Sequence, residues 1–509
     1  MIVRLFGCAV SGIEALPVEI EVHISNGSKF FLVGLPDNAM KEAYFRIRAA
    51  LKNTGYHYPG KTVTINMAPA DIRKEGSAYD LPMALGILGC TAQCESHLFS
   101  DYLIMGELSL DGSINPIRGA LSMAIYARDA GFKGMILPAA NALEAALVEG
   151  LPVYGMENIR DVLDFLANPT KHAPVQSGYK TESVSPSFLD LNEVKGQQAV
   201  KRALEVAAAG GHNLLLIGPP GAGKTMIAKR LPGILPPMEF EEALETTRIY
   251  SVATKSGGVK GLVGTRPFRS PHHSISDVAL VGGGSHPQPG EISLAHNGVL
   301  FLDELPEFKR QVLEVLRQPM EERKVTISRA KSVVDYPAGF MLVASMNPCP
   351  CGFHNHPEKE CTCPPGAVRK YLNRISGPLM DRIDLHIEVT PVETSALQAK
   401  AVLESSTDFR ERIIKARTIQ NQRFKGQNSV FSNAMMSRKQ VEHYCVLDEE
   451  SRKTIAVAME RMKLSARAYD RILRVSRTIA DLDGSDSIGL HHLAEAIQYR
   501  SLDKADWAE

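Results

Sequence analysis

Leu214-Leu215-Leu216-Ile217-Gly218-Pro219-Pro220-Gly221-Ala222-Gly223-Lys224-Thr225 is the stretch on which the reading of this chain turns. Four apolar residues read as a buried strand, G-x-x-x-x-G-K-T follows at once, and Met226–Arg230 continues in a helical pattern. Such glycines let backbone N–H groups close around phosphate oxygens at a helix N-terminus. Lys224 then reaches the β- and γ-phosphates, and the Thr225 hydroxyl meets Mg²⁺. At average composition the four fixed positions arise by chance in roughly one such chain in fifty. With a strand before and a helix after, a bare glycine turn is a poor explanation, so ATP and Mg²⁺ are the expected ligands.

About eighty residues downstream, Gly298-Val299-Leu300-Phe301-Leu302 delivers Asp303 and Glu304 to the end of a second apolar strand. Open α/β sheets bind ligands at strand C-termini. There Asp303 would hold Mg²⁺ and Glu304 would polarise the attacking water. Either carboxylate alone would pass for a helix cap; after a phosphate loop, the catalytic reading is preferred. A third strand, Phe340–Ser345, ends near Asn347, placed to bond the γ-phosphate or the water. Asn347 before Pro348 would otherwise read as a turn residue. Asp381-Arg382-Ile383-Asp384 sets an arginine between two carboxylates, which by itself reads as an ion pair.

These motifs resemble the AAA+ ATPases of the magnesium-chelatase and replicative-helicase branch. Arg266-Pro267-Phe268-Arg269, His272-His273, Gly282–Gly284, Pro289-Gly290-Glu291 and Ser293-Leu294-Ala295-His296 resemble more closely the signature of the magnesium-chelatase-like ComM/YifB family. The likeness runs along essentially the whole chain. It implies a homo-hexameric ring ATPase working on branched or single-stranded DNA without sequence preference, as a branch-migration motor in recombination or competence. It further implies a sensor role for Asn347 and an arginine-finger role for Arg382 towards the neighbouring subunit's ATP. Gly196 and Gln197 fall where the family contacts adenine. Arg467, with Arg471 as its rival, falls in the second sensor segment. A chelatase-like remodeller of proteins or metal insertion is the alternative, although no D-x-S-x-S segment of the metal-binding partner domain occurs here.

The expected architecture is multidomain α/β: residues 1–167, a Pro/Ser/Thr/Lys-rich linker at 168–186, an AAA+ module at 187–396, and a helical lid at 397–509. In the first domain Val18–Ile24, Thr62–Met67, Tyr102–Met105 and Gly134–Leu137 read as strands. Ala39–Lys52, Asp80–Gly89, Gly119–Asp129 and Ala142–Val148 read as helices. Glu75–Leu81 and Gly106–Gly119 resemble the C-terminal domain of Lon protease, with its ribosomal-S5-like fold. Ala78 stands at that family's serine position and Leu121 at its lysine position, so the domain is expected to be a scaffold or a DNA contact, not a protease.

Two further groups remain. Lys324–Val334 reads as a hairpin with Arg329 and Lys331 at its tip, resembling the helicase pore element that grips the phosphate backbone. The segment from Arg266 to Gly284 is a candidate second pore loop. Cys349, Cys351, Cys361 and Cys363 form two C-x-C pairs and read as a structural Zn²⁺ site; the pairs are tighter than the usual C-x₂₋₄-C, so His354 or His356 between them is an alternative ligand in place of a cysteine. The other cysteines, Cys8, Cys90, Cys94 and Cys445, are scattered and read as packing.

Composition excludes little but excludes it firmly. The chain has 509 residues, 44% hydrophobic, with 57 basic and 57 acidic side chains. Disorder, collagen and coiled coil are ruled out. No apolar run reaches the roughly 20 residues of a membrane span, and Met1–Asn26 is no signal peptide, so a cytoplasmic location is expected. The zero net charge rules out a protein that coats DNA by bulk charge. Residues 1–167 carry 13 basic and 18 acidic groups, so any DNA contact there must be local.

Overall fold

A computed structural model describes residues 2–176, 188–253, 261–284, 287–329, 332–354, 356, 358–391, 404–427 and 430–500, the side chains of Arg329 and Ser332 excepted. Most of the expected linker, the expected boundary at 397 and Lys331 lie outside these residues. Among the described residues no helix is long and apolar enough to cross a membrane.

The first 160 or so residues build a seven-stranded mixed sheet. Its order is Phe30–Val33, Thr62–Ala68, Glu14–Ser25, Ile2–Ser11, Tyr102–Ile104, Gly134–Pro138 and Val153–Met156. Period-two alternation decides its faces: in Thr62–Ala68, Val63, Ile65 and Met67 are buried between half-exposed neighbours. Helices Ala43–Asn53 and Asp80–Cys90 run beside it, the second buried along nearly its whole length. The expected helix over Ala142–Val148 lies instead at Ala139–Ala145, directly after Pro138, whose fixed φ suits a helix start.

A second sheet is parallel throughout, in the order Phe268–Arg269, Val299–Leu302, Met341–Met346, Leu214–Ile217 and Leu385–Glu388. Its three middle strands are buried at every residue, as a sheet covered on both faces requires. On one face Leu214, Leu216, Phe301 and Val343 share a core with Phe409, Ile413, Ile472 and Ile479 of the C-terminal helices. On the other, Leu215, Ile217, Leu300 and Leu342 pack with Leu305, Leu313, Leu316 and Leu379. The C-terminal region is helical: Ser406–Arg423, Arg438–Tyr444, Glu449–Met462, Ala466–Leu482 and Leu490–Gln498. Breaks fall after Arg423 and Leu482, near the expected positions.

The hairpin pairs Lys324–Arg329 with Ser332–Pro337, Arg329 opposite Ser332. Val325, Ile327, Val334 and Tyr336 bury one face. On the other face Lys324 is held by Asp335 at 3.2 Å.

Candidate functional site

Three neighbouring strands of the parallel sheet end at one edge, and each contributes a polar group. The loop after Ile217 closes at Gly223, whose φ of +89° is the left-handed conformation an L side chain resists. The helix begins at Lys224 but stops at Ala228, and Leu231–Ile234 forms a separate turn with Pro232 at its start. Lys224 Nζ donates to the carbonyls of Gly218 (2.7 Å) and Pro219 (2.9 Å) and to Asn347 Oδ1 (3.0 Å). Burial lowers its pKa, against the pull of Asp303 and Glu304. The ammonium thus stands between the loop and the end of Met341–Met346.

The Thr225 hydroxyl donates to Asp303 Oδ2 at 2.7 Å. Asp303 Oδ1 accepts from the Ser345 hydroxyl and from the Glu304 N–H, the latter at 3.1 Å. A threonine hydroxyl and a carboxylate oxygen side by side beneath a phosphate loop are hard ligands suited to Mg²⁺. Glu304 adopts φ +55° and leaves its carboxylate 60% exposed, 3.7 Å from His273 Nδ1. Ser345 and His273 were not expected here. Ser345 is a hydroxyl in an otherwise apolar buried strand, and that is the sequence signal for it.

Gln197 is the N-cap residue of the helix Gln198–Gly210, with φ +56°, and donates through Nε2 to the Thr390 carbonyl, which joins the start of that helix to the segment after Leu385–Glu388. Gly196 precedes it with φ +64°.

The arginines gather elsewhere. Arg382 is buried and its guanidinium donates to Glu321, not to the flanking Asp381 or Asp384. Arg382 is thus ion-paired, but with Glu321 rather than with the carboxylates beside it in sequence. Glu321 is held below the usual carboxylate range by Arg382, with Arg467 and Arg471 adding to the effect. Arg467 is exposed, whereas Arg471 is tied to Asp384. Asp384 also accepts the Asn213 N–H at 2.8 Å. Burial opposes its charge, but Arg471, His212 and that N–H outweigh it and lower its pKa.

The expected second pore loop is not a free cationic surface. Arg266 forks onto Glu242, its Nη2 2.7 Å from the nearer oxygen, and Arg269 onto Glu291 at 2.6 and 2.7 Å. Both guanidinium groups are spent on structural pairs.

The four clustered cysteines converge. Cys349 lies 3.3 Å from Cys351 and 3.8 Å from Cys361, Cys351 lies 3.6 Å from Cys361, and all four sulfurs fall within 4.8 Å of one another. Tetrahedral zinc with Zn–S bonds of about 2.3 Å requires sulfurs about 3.8 Å apart, while a disulfide needs about 2 Å. The spacing fits the metal. Burial works against the Cys351 thiolate, yet the N–H groups of Phe353 and Thr362 and the Cys349 thiol bring its pKa down to about 5. His356 Nδ1 instead accepts the N–H groups of Glu358 and Lys359. The knuckle touches the phosphate loop: a Cβ added to Gly352 would stand 2.4 Å from Pro220 Cδ.

In the first sheet domain, Leu121 is fully buried in the helix Ala120–Asp129. Ser77 donates to Glu107 and Lys74 to the Pro69 carbonyl.

A buried parallel sheet carrying a phosphate loop, an acidic strand end and an asparagine on the strand between them defines a P-loop nucleotide-binding protein of AAA+ type. Family models agree. Magnesium chelatase, subunit ChlI, matches residues 190–397, a second model of subunit ChlI matches 20–141, and the subunit ChlI C-terminal model matches 403–500. The uncharacterized protein YifB of Escherichia coli is 45% identical over 500 residues, 97% of this chain and 96% of the relative. The competence protein ComM of Haemophilus influenzae is 44% identical over 504 residues, 98% of this chain and 97% of the relative. The chloroplastic magnesium-chelatase subunit ChlI of Glycine max is 22% identical over 348 residues, 63% and 76% of the two chains. This chain belongs to the ComM/YifB family of magnesium-chelatase-like proteins.

Proposed function

We propose that this protein is an ATP-hydrolysing ring motor, a homo-hexamer that drives branch migration on branched or single-stranded DNA. The observation that carries the ATPase reading is the double link across the sheet edge, Thr225 to Asp303 and Lys224 to Asn347. In this reading the loop Gly218–Thr225 cradles the phosphates, Thr225 and Asp303 hold Mg²⁺, Glu304 polarises water, and Asn347 senses the γ-phosphate. Gly196 and Gln197 flank the adenine. Arg382 is the finger given to the adjacent subunit, and Arg467 the second sensor. Arg382, Arg467 and Arg471 all act on the Glu321 carboxylate, which groups Arg382 with the second-sensor segment.

The DNA reading is supported by the name of the competence relative and by the hairpin that pairs Lys324–Arg329 with Ser332–Pro337. The domain division at 167, 187 and 397, with an S5-like, catalytically silent Lon-type first domain, is part of the same proposal. So is one structural Zn²⁺ on Cys349, Cys351, Cys361 and Cys363. The similarity to subunit ChlI favours a second reading, a chelatase-like remodelling ATPase. ATP-driven resolution of a four-way DNA junction by wild type, and its loss in Lys224→Ala, separates the two. A remodeller would leave the junction intact.

A further inference from the structure

Residues 1–167 are acidic overall, but the charge is not evenly spread. Between Lys29 and Lys61 stand six basic residues (Lys29, Lys41, Arg46, Arg48, Lys52, Lys61) against two acidic ones (Asp37, Glu42). The excess is +4 in a region whose total is −5, so the cations are concentrated on one segment.

Fold geometry sorts them further. Asn38–Lys41 and Ala43–Asn53 form a nearly continuous helical run. Lys41, Phe45, Arg48 and Lys52 fall at i, i+4, i+7 and i+11 and therefore share one face. All four are exposed, and Phe45 is exposed to 69%. Arg46, off this stripe, is spent on the buried Asp80 at 2.6 Å. Among the described residues neither Lys41 nor Lys52 pairs with a carboxylate. Arg48 donates to the Tyr44 hydroxyl at 3.0 Å and keeps the rest of its guanidinium outward. Beneath the stripe Tyr44 packs against Phe30, Phe45 and Tyr58 at 5.3, 5.2 and 5.6 Å. Phe45 meets Tyr44 edge-on, and Tyr44 in turn is set among Phe30 and Tyr58.

An apolar ring left in water with cations on both sides suits one kind of ligand. A duplex offers no free base face, and a second copy of the same strip would meet it with like charge. A single strand offers both an unstacked base and flanking phosphates. We infer that the Lys41–Phe45–Arg48–Lys52 strip is a docking site for single-stranded DNA, with a base stacked on Phe45 and the backbone held by the three cations. The choice of DNA as the nucleic acid rests on the function proposed above; the strip itself does not. Its length, about 16 Å, matches the rise of roughly five stacked nucleotides. The site lies outside the ATPase sheet and would keep a displaced strand on the first domain while the hairpin works on the other.

The test uses the full chain and a fluorescent oligothymidylate without nucleotide. Phe45→Ala is expected to weaken binding about tenfold. Lys41→Ala/Arg48→Ala/Lys52→Ala is expected to flatten the slope of log affinity against log salt by about 2. Phe45→Trp is expected to restore affinity and to lose indole emission on saturation, against a background of one native tryptophan. ATP turnover without DNA stays at the wild-type level in all three variants. Wild-type affinity in Phe45→Ala, with binding lost in Arg329→Ala/Lys331→Ala, overturns the strip and leaves the motor standing. A change in assembly mass at constant DNA affinity overturns it in favour of a subunit interface. No oligonucleotide binding by wild type overturns both readings together.

Discussion

The Thr225 hydroxyl and the Asp303 carboxylate meet at 2.7 Å, although their strands are separated in the sheet by Met341–Met346. Two residues 78 positions apart are brought together because parallel strands all end at the same edge. The intervening strand closes the gap, with Ser345 bonded to Asp303 and Asn347 bonded to Lys224. Removing the carboxylate charge at this junction would remove the proposed Mg²⁺ ligand and leave the loop intact. Asp303→Asn is therefore expected to bind a fluorescent ATP analogue in EDTA as wild type does and to lose the gain in affinity that Mg²⁺ confers. Equal Mg²⁺ dependence in the two proteins would refute the assignment.

Glu304 is exposed beside His273 and contacts neither the loop nor Lys224 in the hydrogen bonds above. Its proposed task is to orient water, not to hold nucleotide. Glu304→Gln is expected to retain ATP affinity and to lose turnover by about 100-fold or more. Steady-state hydrolysis with equilibrium binding measures both.

The arginines give a prediction about subunits. Lys224→Ala lacks a working loop but keeps Arg382, and Arg382→Ala has the opposite defect. If Arg382 serves a neighbour, mixing the two inactive proteins creates some complete sites, and turnover rises above either alone. No recovery in the mixture would count against action between subunits. Arg471 differs from Arg467, since it neutralises the buried Asp384. Arg471→Ala is expected to cost about 3–5 kcal/mol of stability, measured by denaturant unfolding, while exposed Arg467→Ala lowers turnover at unchanged stability.

The thiol cluster is expected to carry about one zinc per chain by elemental analysis. Because Gly352 lies against Pro220, the knuckle and the phosphate loop share a contact. Cys349→Ser is expected to lose the metal and to weaken ATP binding with it. Zinc content near zero in wild type would return the cysteines to packing.

His212 is completely buried, bonded to Thr478 at 2.7 Å, and desolvation lowers its pKa to about 4. Its proton binds more tightly in the unfolded chain, near pH 6.5, than in the folded one. The stabilisation is complete above pH 6.5 and is lost as pH falls from there towards 4, up to about 3 kcal/mol. His212→Gln keeps a hydrogen-bonding group at the position and is expected to flatten the melting temperature over that window. His386, also fully buried, has its pKa lowered by desolvation and by the nearby Arg500, and keeps part of the slope.

Sequence alone reached the groups at strand ends, because a strand, a glycine loop and a carboxylate are local patterns. Gly218–Thr225, Asp303 and Asn347 all arrive at one edge for that reason. The partners of the arginines were not legible. Glu321 is 61 residues from Arg382, and Arg471 is 87 from Asp384, and nothing local marks either pair. Flanking carboxylates suggested the wrong partner for Arg382. In the first domain, Ile2–Ser11 interrupts its alternation with Gly7 and a run of buried small residues, which hid a strand that lies fourth in the sheet.

The most direct measurement of the central claim is ATP turnover with and without forked or four-way DNA, in wild type and in Arg329→Ala/Lys331→Ala. The motor reading predicts turnover that rises with DNA in the wild type and stays at the DNA-free rate in the variant. A wild-type rate unchanged by any DNA structure would contradict it.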